Sequence, residues 1–316
     1  MFTVGLLMGL VACFYVLGKA ADVVVIHIKR IGIALGIGIL PLGLLLGLFT
    51  SLPELALGLS AVADNIPTLS LGNLIGGLFV LLGLILGVSV AANRQVSTKG
   101  GTGLLPFTLV YLLLPVLLGL DGEIGVVDGA VLALMYFLLV YSLYAWNRTP
   151  PTAAPAASAR HHHTPIDVFL TVLGIVVVLL ASSLAVHITR ELLSVWPVPP
   201  FLLGLLLFSI GTNLPEIMVA IRAWKRHTAE LSVSHLLGSA IVNPLLIGIF
   251  AFMRPMSIQI SAGYYVLLGT LVLLLSLFYS FYTSGKKLTR NEGFALVGCY
   301  AIYLVTQLVF FTAVAR

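Results

Sequence analysis

Apolar residues in this chain come in runs of twenty or more, separated by short polar punctuation, and twenty apolar residues are what an α-helix needs to cross a bilayer. The spacing predicts helix 1 over 2–28, helix 2 over 32–62, helix 3 over 69–92, helix 4 over 103–120 and helix 5 over 126–146. Helices 6 to 10 follow over 166–193, 200–223, 232–252, 262–283 and 292–314. Turn chemistry marks the joints: Asp64-Asn65-Ile66-Pro67 after helix 2, and Asp121-Gly122-Glu123 before helix 5. The stretch Met1 to Leu17 is apolar enough to resemble a signal peptide, but it lacks a basic leading segment and runs on through Ile28, so it is expected to be helix 1.

The basic residues sort by connection. Lys29, Arg30, Arg94, Lys99, Arg148, Arg160, Arg222, Lys225, Arg226, Lys286, Lys287 and Arg290 fall on one side of this pattern, and only Arg190, Arg254 and Arg316 on the other. By the positive-inside rule the first side is cytoplasmic and both termini lie outside the cytoplasm of a cell (inner) membrane. The strict alternation supports ten helices, because one missed span would scramble it.

Composition agrees: 60% of the 316 residues are hydrophobic and 9% charged, too apolar for a soluble domain. The net charge of +5 is scattered through short loops, so the expected surroundings are a lipid bilayer and no nucleic acid. Cys13 and Cys299 fall within predicted spans and read as small packing residues. Lys19 and Asp22 are expected to form a local charge pair, and His187 to be interfacial. The acidic segment from Asp121 to Asp128 lacks the alternating ligands of a calcium loop and reads as a solvated turn. Residues 147–164 form a Pro/Ala-rich cytoplasmic linker carrying His161, His162 and His163, where only a weak adventitious metal site is expected. The expected organisation is a first five-helix repeat over 1–146, the linker, and a second over 165–316.

Two phrases stand out, Thr50-Ser51-Leu52-Pro53-Glu54 and Thr212-Asn213-Leu214-Pro215-Glu216, each inside a long apolar run. Shifting the chain by 162 positions aligns 50–83 with 212–245 without a gap, with ten identities that include Ser70/Ser232, Gly76/Gly238 and Val80/Val242. A carboxylate at membrane depth costs about 2.5–3.5 kcal/mol or more, so such residues mark function. Pro53 and Pro215 have no N–H for the carbonyls of Phe49 and Gly211, which breaks each helix and frees backbone oxygens. Thr50 and Glu54 are four apart, as are Thr212 and Glu216, so hydroxyl, carbonyls and carboxylate gather on one face. Hard oxygens around two negative charges suit Ca²⁺ or Na⁺.

Ten helices divide as five plus five, and an odd number per half inverts the second half in the membrane. The expected fold is therefore an all-α polytopic membrane protein, with ten transmembrane helices in two inverted five-helix repeats and helices 2 and 7 broken. Inverted repeats with broken helices meeting at the midplane are the pattern of a secondary transporter.

On these residues the chain resembles the sodium/calcium exchangers of the cation/calcium antiporter superfamily. Its paired signatures look like the family's, and the motif Gly-Asn-x-x-Gly-Ser-x-x-x-Asn/Asp keeps Gly238, Ser239 and Asn243 in the second repeat. The resemblance implies that Glu54 and Glu216 ligate the transported cation with the carbonyls of Thr50 and Thr212. Ser51, and Asn213 in place of the usual serine, would border adjoining positions. The first repeat departs from the pattern at Gly77, Leu81 and Phe49, and His235 replaces the asparagine that survives as Asn73.

The leading expectation is an antiporter moving Ca²⁺ against Na⁺ or H⁺ by alternating access, with inorganic cations as its partners, no cofactor and no obligatory protein partner. The alternatives are an intramembrane enzyme using the two glutamates as acid and base, and a homologue that no longer transports. Ser239 and Asn243 can present two oxygens on one helical face, whereas Gly77 and Leu81 present none, so the first half is expected to be dry and apolar there.

Overall fold

A computed structural model describes residues 2–35, 46–93, 95–97, 103–146, 164–196, 198–225, 229–285 and 287–314. Residues 147–163 of the predicted linker, with His161 to His163, and 36–45 of predicted helix 2 lie outside these residues, while 32–34, expected to open helix 2, belong to α1. The described residues are helical almost throughout. The elements are α1 (Phe2–Ala34), α2 (Leu52–Ala63), α3 (Pro67–Asn93), α4 (Leu105–Leu118), α5 (Val126–Trp146) and α6 (Thr164–Val195). They continue with α7a (Pro200–Thr212), α7b (Leu214–Lys225), α8 (Ala229–Met253), α9 (Ala262–Ser284) and α10 (Arg290–Val314). Among the described residues seven helices are long and apolar enough to cross a membrane, eight if α7a and α7b count as one bent span.

The ends differ from the sequence reading where local chemistry overrides hydropathy. α1 runs on to Ala34, through Lys29 and Arg30, because a helix continues past a charge that can reach the interface. α3 starts two residues early because Pro67 sits in its first turn, where the missing N–H costs nothing. Lys19 lies over the Tyr15 ring, 5.7 Å from its centroid. His187 is exposed, and Cys13 and Cys299 are free and buried as expected.

Burial separates central from peripheral helices. In their most apolar windows 83% of α3 and 67% of α8 are buried, against 17% of α5, so α3 and α8 form the axis. α1, α5, α6, α9 and α10 present exposed Val, Leu, Ile and Phe on their outer faces, the girdle that lipid requires. The buried apolar residues fall into two clusters. One joins α1, α2, α6 and α7a around Leu17, Leu57 and Phe208; the other joins α3, α4, α5, α8, α9 and α10 around Leu82, Leu112 and Phe250.

The same packing relationships occur twice with the halves exchanged. α3 packs on α10 as α8 packs on α5, and α2 packs on α6 as α7 packs on α1. The short strand β1 (Gln95–Ser97) after α3 pairs antiparallel with β4 (Lys287–Thr289) before α10. Likewise β2 (Glu123–Ile124), before α5, pairs antiparallel with β3 (Met256–Ser257) after α8. The acidic turn is closed locally: Gly122 adopts φ +96°, Glu123 N donates to Asp121 Oδ1 and Gly125 N to Asp128 Oδ2.

Candidate cation site

Each signature phrase folds as a helix, a one-residue break and a second helix. Residues 46–50 are helical, Ser51 breaks the run at φ −88°, ψ 14°, and α2 follows. α7a ends at Thr212, Asn213 takes φ −85°, ψ 13°, and α7b leaves at 41°. The two breaks thus share one sparsely populated backbone conformation, the bridge region. Each is fixed by the proline two residues later, which cannot donate back across the gap.

The break puts both glutamates inside. Glu54 is 4% exposed and Glu216 2%, and each has one carboxyl oxygen, Oε2, buried without a hydrogen-bond partner. Glu216 lies within electrostatic reach of Glu54 and of Asp22 on α1. The hydroxyl of Thr212 stands between the Glu54 carboxyl group and Asn73 Oδ1, the latter 3.1 Å away. Buried carboxylate oxygens left without donors are expensive unless a cation completes them. Among the described residues no group of three or more His, Cys, Asp and Glu forms a metal cluster, so the donor set is two carboxylates supplemented by neutral oxygens. That set fits a hard cation.

The remaining sequence-predicted residues take different parts. Thr50 Oγ1 donates to Gly47 O at 2.9 Å and Ser51 Oγ to the same carbonyl at 3.4 Å, so these hydroxyls have only lone pairs to offer a cation. Ser239 is 4% exposed and its Oγ is unpartnered. Asn243 Nδ2 is committed to Leu74 O at 2.9 Å, which leaves Oδ1 as the atom of that amide that can accept. Asn213 Nδ2 is committed to Ser209 O at 2.7 Å. The first half is also not the apolar surface expected at Gly77: a Cβ there would meet Asn243 Nδ2 at 2.9 Å and Asn213 Nδ2 at 3.4 Å. Leu81 is packed in the core of α3.

Two residues join the site that the two signature phrases do not contain. Asn73, 1% exposed, stood out in the sequence only as the motif asparagine that His235 replaces in the second repeat. Asp22 sits on α1 beside the break of α7, where Gly18 packs on Leu214 and Pro215 and Phe14 on Gly211. The close approach of α3 to α7a that brings Asn73 to Thr212 depends on small residues. A Cβ on Gly72 would fall 2.0 Å from Phe201 O, on Gly76 2.4 Å from Leu205 O, and on Gly204 2.1 Å from Leu69 O. Both helices widen to π geometry nearby, over Phe79–Ile85 and Gly204–Phe208. The carbonyl of Leu205 in the second widened turn accepts from Ser209 Oγ at 2.6 Å and Tyr303 Oη at 2.9 Å.

Comparison with known proteins places this arrangement. The family model described as sodium/calcium exchanger protein matches residues 5–145 and 166–309. The membrane protein MJ0091 of Methanocaldococcus jannaschii is 24% identical over 312 residues, covering 95% of this chain and 96% of its own. Among solved structures, the sodium-calcium exchanger NCX_Mj soaked with Na⁺ and Sr²⁺ superposes with a TM-score of 0.65 at 22% identity, over 96% of this chain and 98% of that one. The H⁺/Ca²⁺ exchanger CAX gives a TM-score of 0.76 at 17% identity, over 98% of this chain and 85% of that one. These two share the fold. With a family model spanning nearly all of both halves, the chain belongs to the sodium/calcium exchanger family of membrane transporters.

Proposed function

We propose that this protein is a secondary active antiporter that exchanges Ca²⁺ for Na⁺ or H⁺ by alternating access, at a midplane site built on Glu54 and Glu216. The observation that carries the reading is the pair of buried, unpartnered carboxyl oxygens, one from each signature phrase, at backbone breaks of matching geometry. Two carboxylates neutralise one divalent cation, and carbonyls at the breaks with the lone pairs of Thr50, Ser51, Thr212 and Ser239 supply further oxygens. The exchanged packing of the two halves supports inverted five-helix repeats. In that architecture α2 and α4 belong to the remaining two of ten spans, and both termini lie outside the cytoplasm. The two separate apolar clusters give α1 and α6 a body that can rock against the α3/α8 axis. Membership of a transporter family sets aside the intramembrane-enzyme alternative.

The test is uptake of ⁴⁵Ca²⁺ into proteoliposomes under imposed Na⁺ or pH gradients, with Mg²⁺ and Mn²⁺ as competitors. Gradient-driven accumulation is expected. Absence of any gradient-dependent cation flux would leave the transport-dead alternative standing.

A further inference from the structure

The asparagines of the second half use their side chains in an unexpected direction. Asn213 Nδ2 donates to Ser209 O at 2.7 Å and Asn243 Nδ2 donates to Leu74 O at 2.9 Å, both from positions at most 3% exposed. The identity of the amide atoms follows from chemistry: a backbone carbonyl only accepts, so the side-chain atom facing each must be nitrogen. The two NH₂ groups also converge in space. Both lie against Gly77, within 2.9 and 3.4 Å of where a Cβ would be. Asn213 ends α7a and Asn243 belongs to α8, so the groups come from two elements and meet on the face of a third, α3.

A cation needs oxygen lone pairs, and the groups that meet the Gly77 face are amide NH₂ groups. Backbone carbonyls, those of Ser209 and Leu74, hold the two NH₂ groups in place. No room remains beside Gly77 for an added atom without displacing Asn243. Among the described residues the buried acceptors without a partner include Glu54 Oε2, Glu216 Oε2 and Ser239 Oγ. The site is therefore lopsided: anionic where the two carboxylates meet, and blocked by fixed partial positive charge on the Gly77 side.

We propose that Asn213 and Asn243 are specificity-determining amide plugs, which stand in for a cation on the Gly77 side and limit the site to a single cation held between Glu54 and Glu216. This rests on the antiport reading above and deepens it. Na⁺ then competes with Ca²⁺ only at the carboxylates, one ion for one, and cannot load as a cooperative group.

The test is equilibrium ⁴⁵Ca²⁺ binding to the purified full-length protein, titrated with Na⁺ at fixed pH, for wild type, N213S, N243S and the double variant. Serine keeps a small oxygen and removes the amide donor; at 213 it matches Ser51 in the first repeat. Wild type is expected to show displacement with a Hill coefficient of about one, and the double variant a steeper curve approaching about two, because vacated carbonyls and a serine hydroxyl now accept a second Na⁺. A wild-type coefficient of about two or more overturns the proposal whatever the variants do. Variants that bind Ca²⁺ without Na⁺ yet keep the wild-type slope overturn it as well, since the amides would not be the limit. A different failure belongs to the parent reading: wild type that binds no Ca²⁺, or binds it equally with Glu54→Gln, removes the carboxylate site and with it both conclusions.

Discussion

Gly129 on α5 and Gly248 on α8 meet backbone to backbone: a Cβ on the first would lie 2.7 Å from the carbonyl oxygen of the second, and one on the second 2.9 Å from that of the first. Gly87 on α3 and Gly293 on α10 repeat the relationship, at 2.9 and 2.7 Å. These two crossings tie the axial helices to the last helix of the opposite half. Gly129→Ala and Gly293→Ala are each expected to destabilise the protein by about 1–3 kcal/mol, because the obstructing atoms are backbone and the helices must separate. Gly269→Ala on α9 meets nothing within 4 Å and is expected to be neutral or slightly stabilising, as the helix gains propensity. Thermal unfolding midpoints in detergent compare the three.

In the proposed site, Glu54→Gln and Glu216→Gln each remove one of the two charges that would neutralise a bound divalent ion. An uncompensated buried charge costs about 3–5 kcal/mol, so each variant is expected to lose at least about a hundredfold in Ca²⁺ affinity. Amide and carboxylate have nearly the same shape, so monodispersity on size exclusion should be retained. Wild-type affinity in either variant would show that the two carboxylates do not share one ion.

In the proposed site protons and Ca²⁺ compete for the same two carboxylates, which fixes the sign of the expected pH dependence. Ca²⁺ affinity is expected to fall as pH falls, and Ca²⁺ binding in weak buffer to release protons. Glu216→Gln should shrink the release, having one fewer acid to empty. A pH-indicator dye read alongside ⁴⁵Ca²⁺ binding measures both quantities, and an affinity that rises on acidification would contradict the shared carboxylate site.

His27 Nδ1 and Asp167 Oδ1 lie 2.5 Å apart and join α1 to α6, with Arg30 Nη1 at 3.5 Å from the same oxygen. Removing the Asp167 acceptor leaves the part-buried His27 ring without this partner. Asp167→Ala is expected to lower the unfolding midpoint, and Asp167→Asn, which keeps one acceptor oxygen, to lower it less. Equal midpoints for the two would mean that the contact contributes through packing alone.

The sequence by itself determined what depends on local chemistry and periodicity. Run length places the spans because a bilayer accepts only backbone that is internally hydrogen-bonded. The repeated Pro-Glu phrases locate the breaks and the two buried acids, because a proline stops the same hydrogen bond in any context. Tertiary structure decided what depends on which atoms meet. Residues 73 and 22 belong to other helices than the signature phrases, and only packing of α3 on α7a, and of α1 on the α7 break, brings them to Thr212 and Glu216. The direction of Asn213 and Asn243 was equally hidden, since an amide offers both an oxygen and a nitrogen and the neighbouring carbonyls choose between them. Gly77 read as a lost ligand. In the folded protein it is the space that two amide groups fill, because a hydrogen there leaves room that any side chain would take.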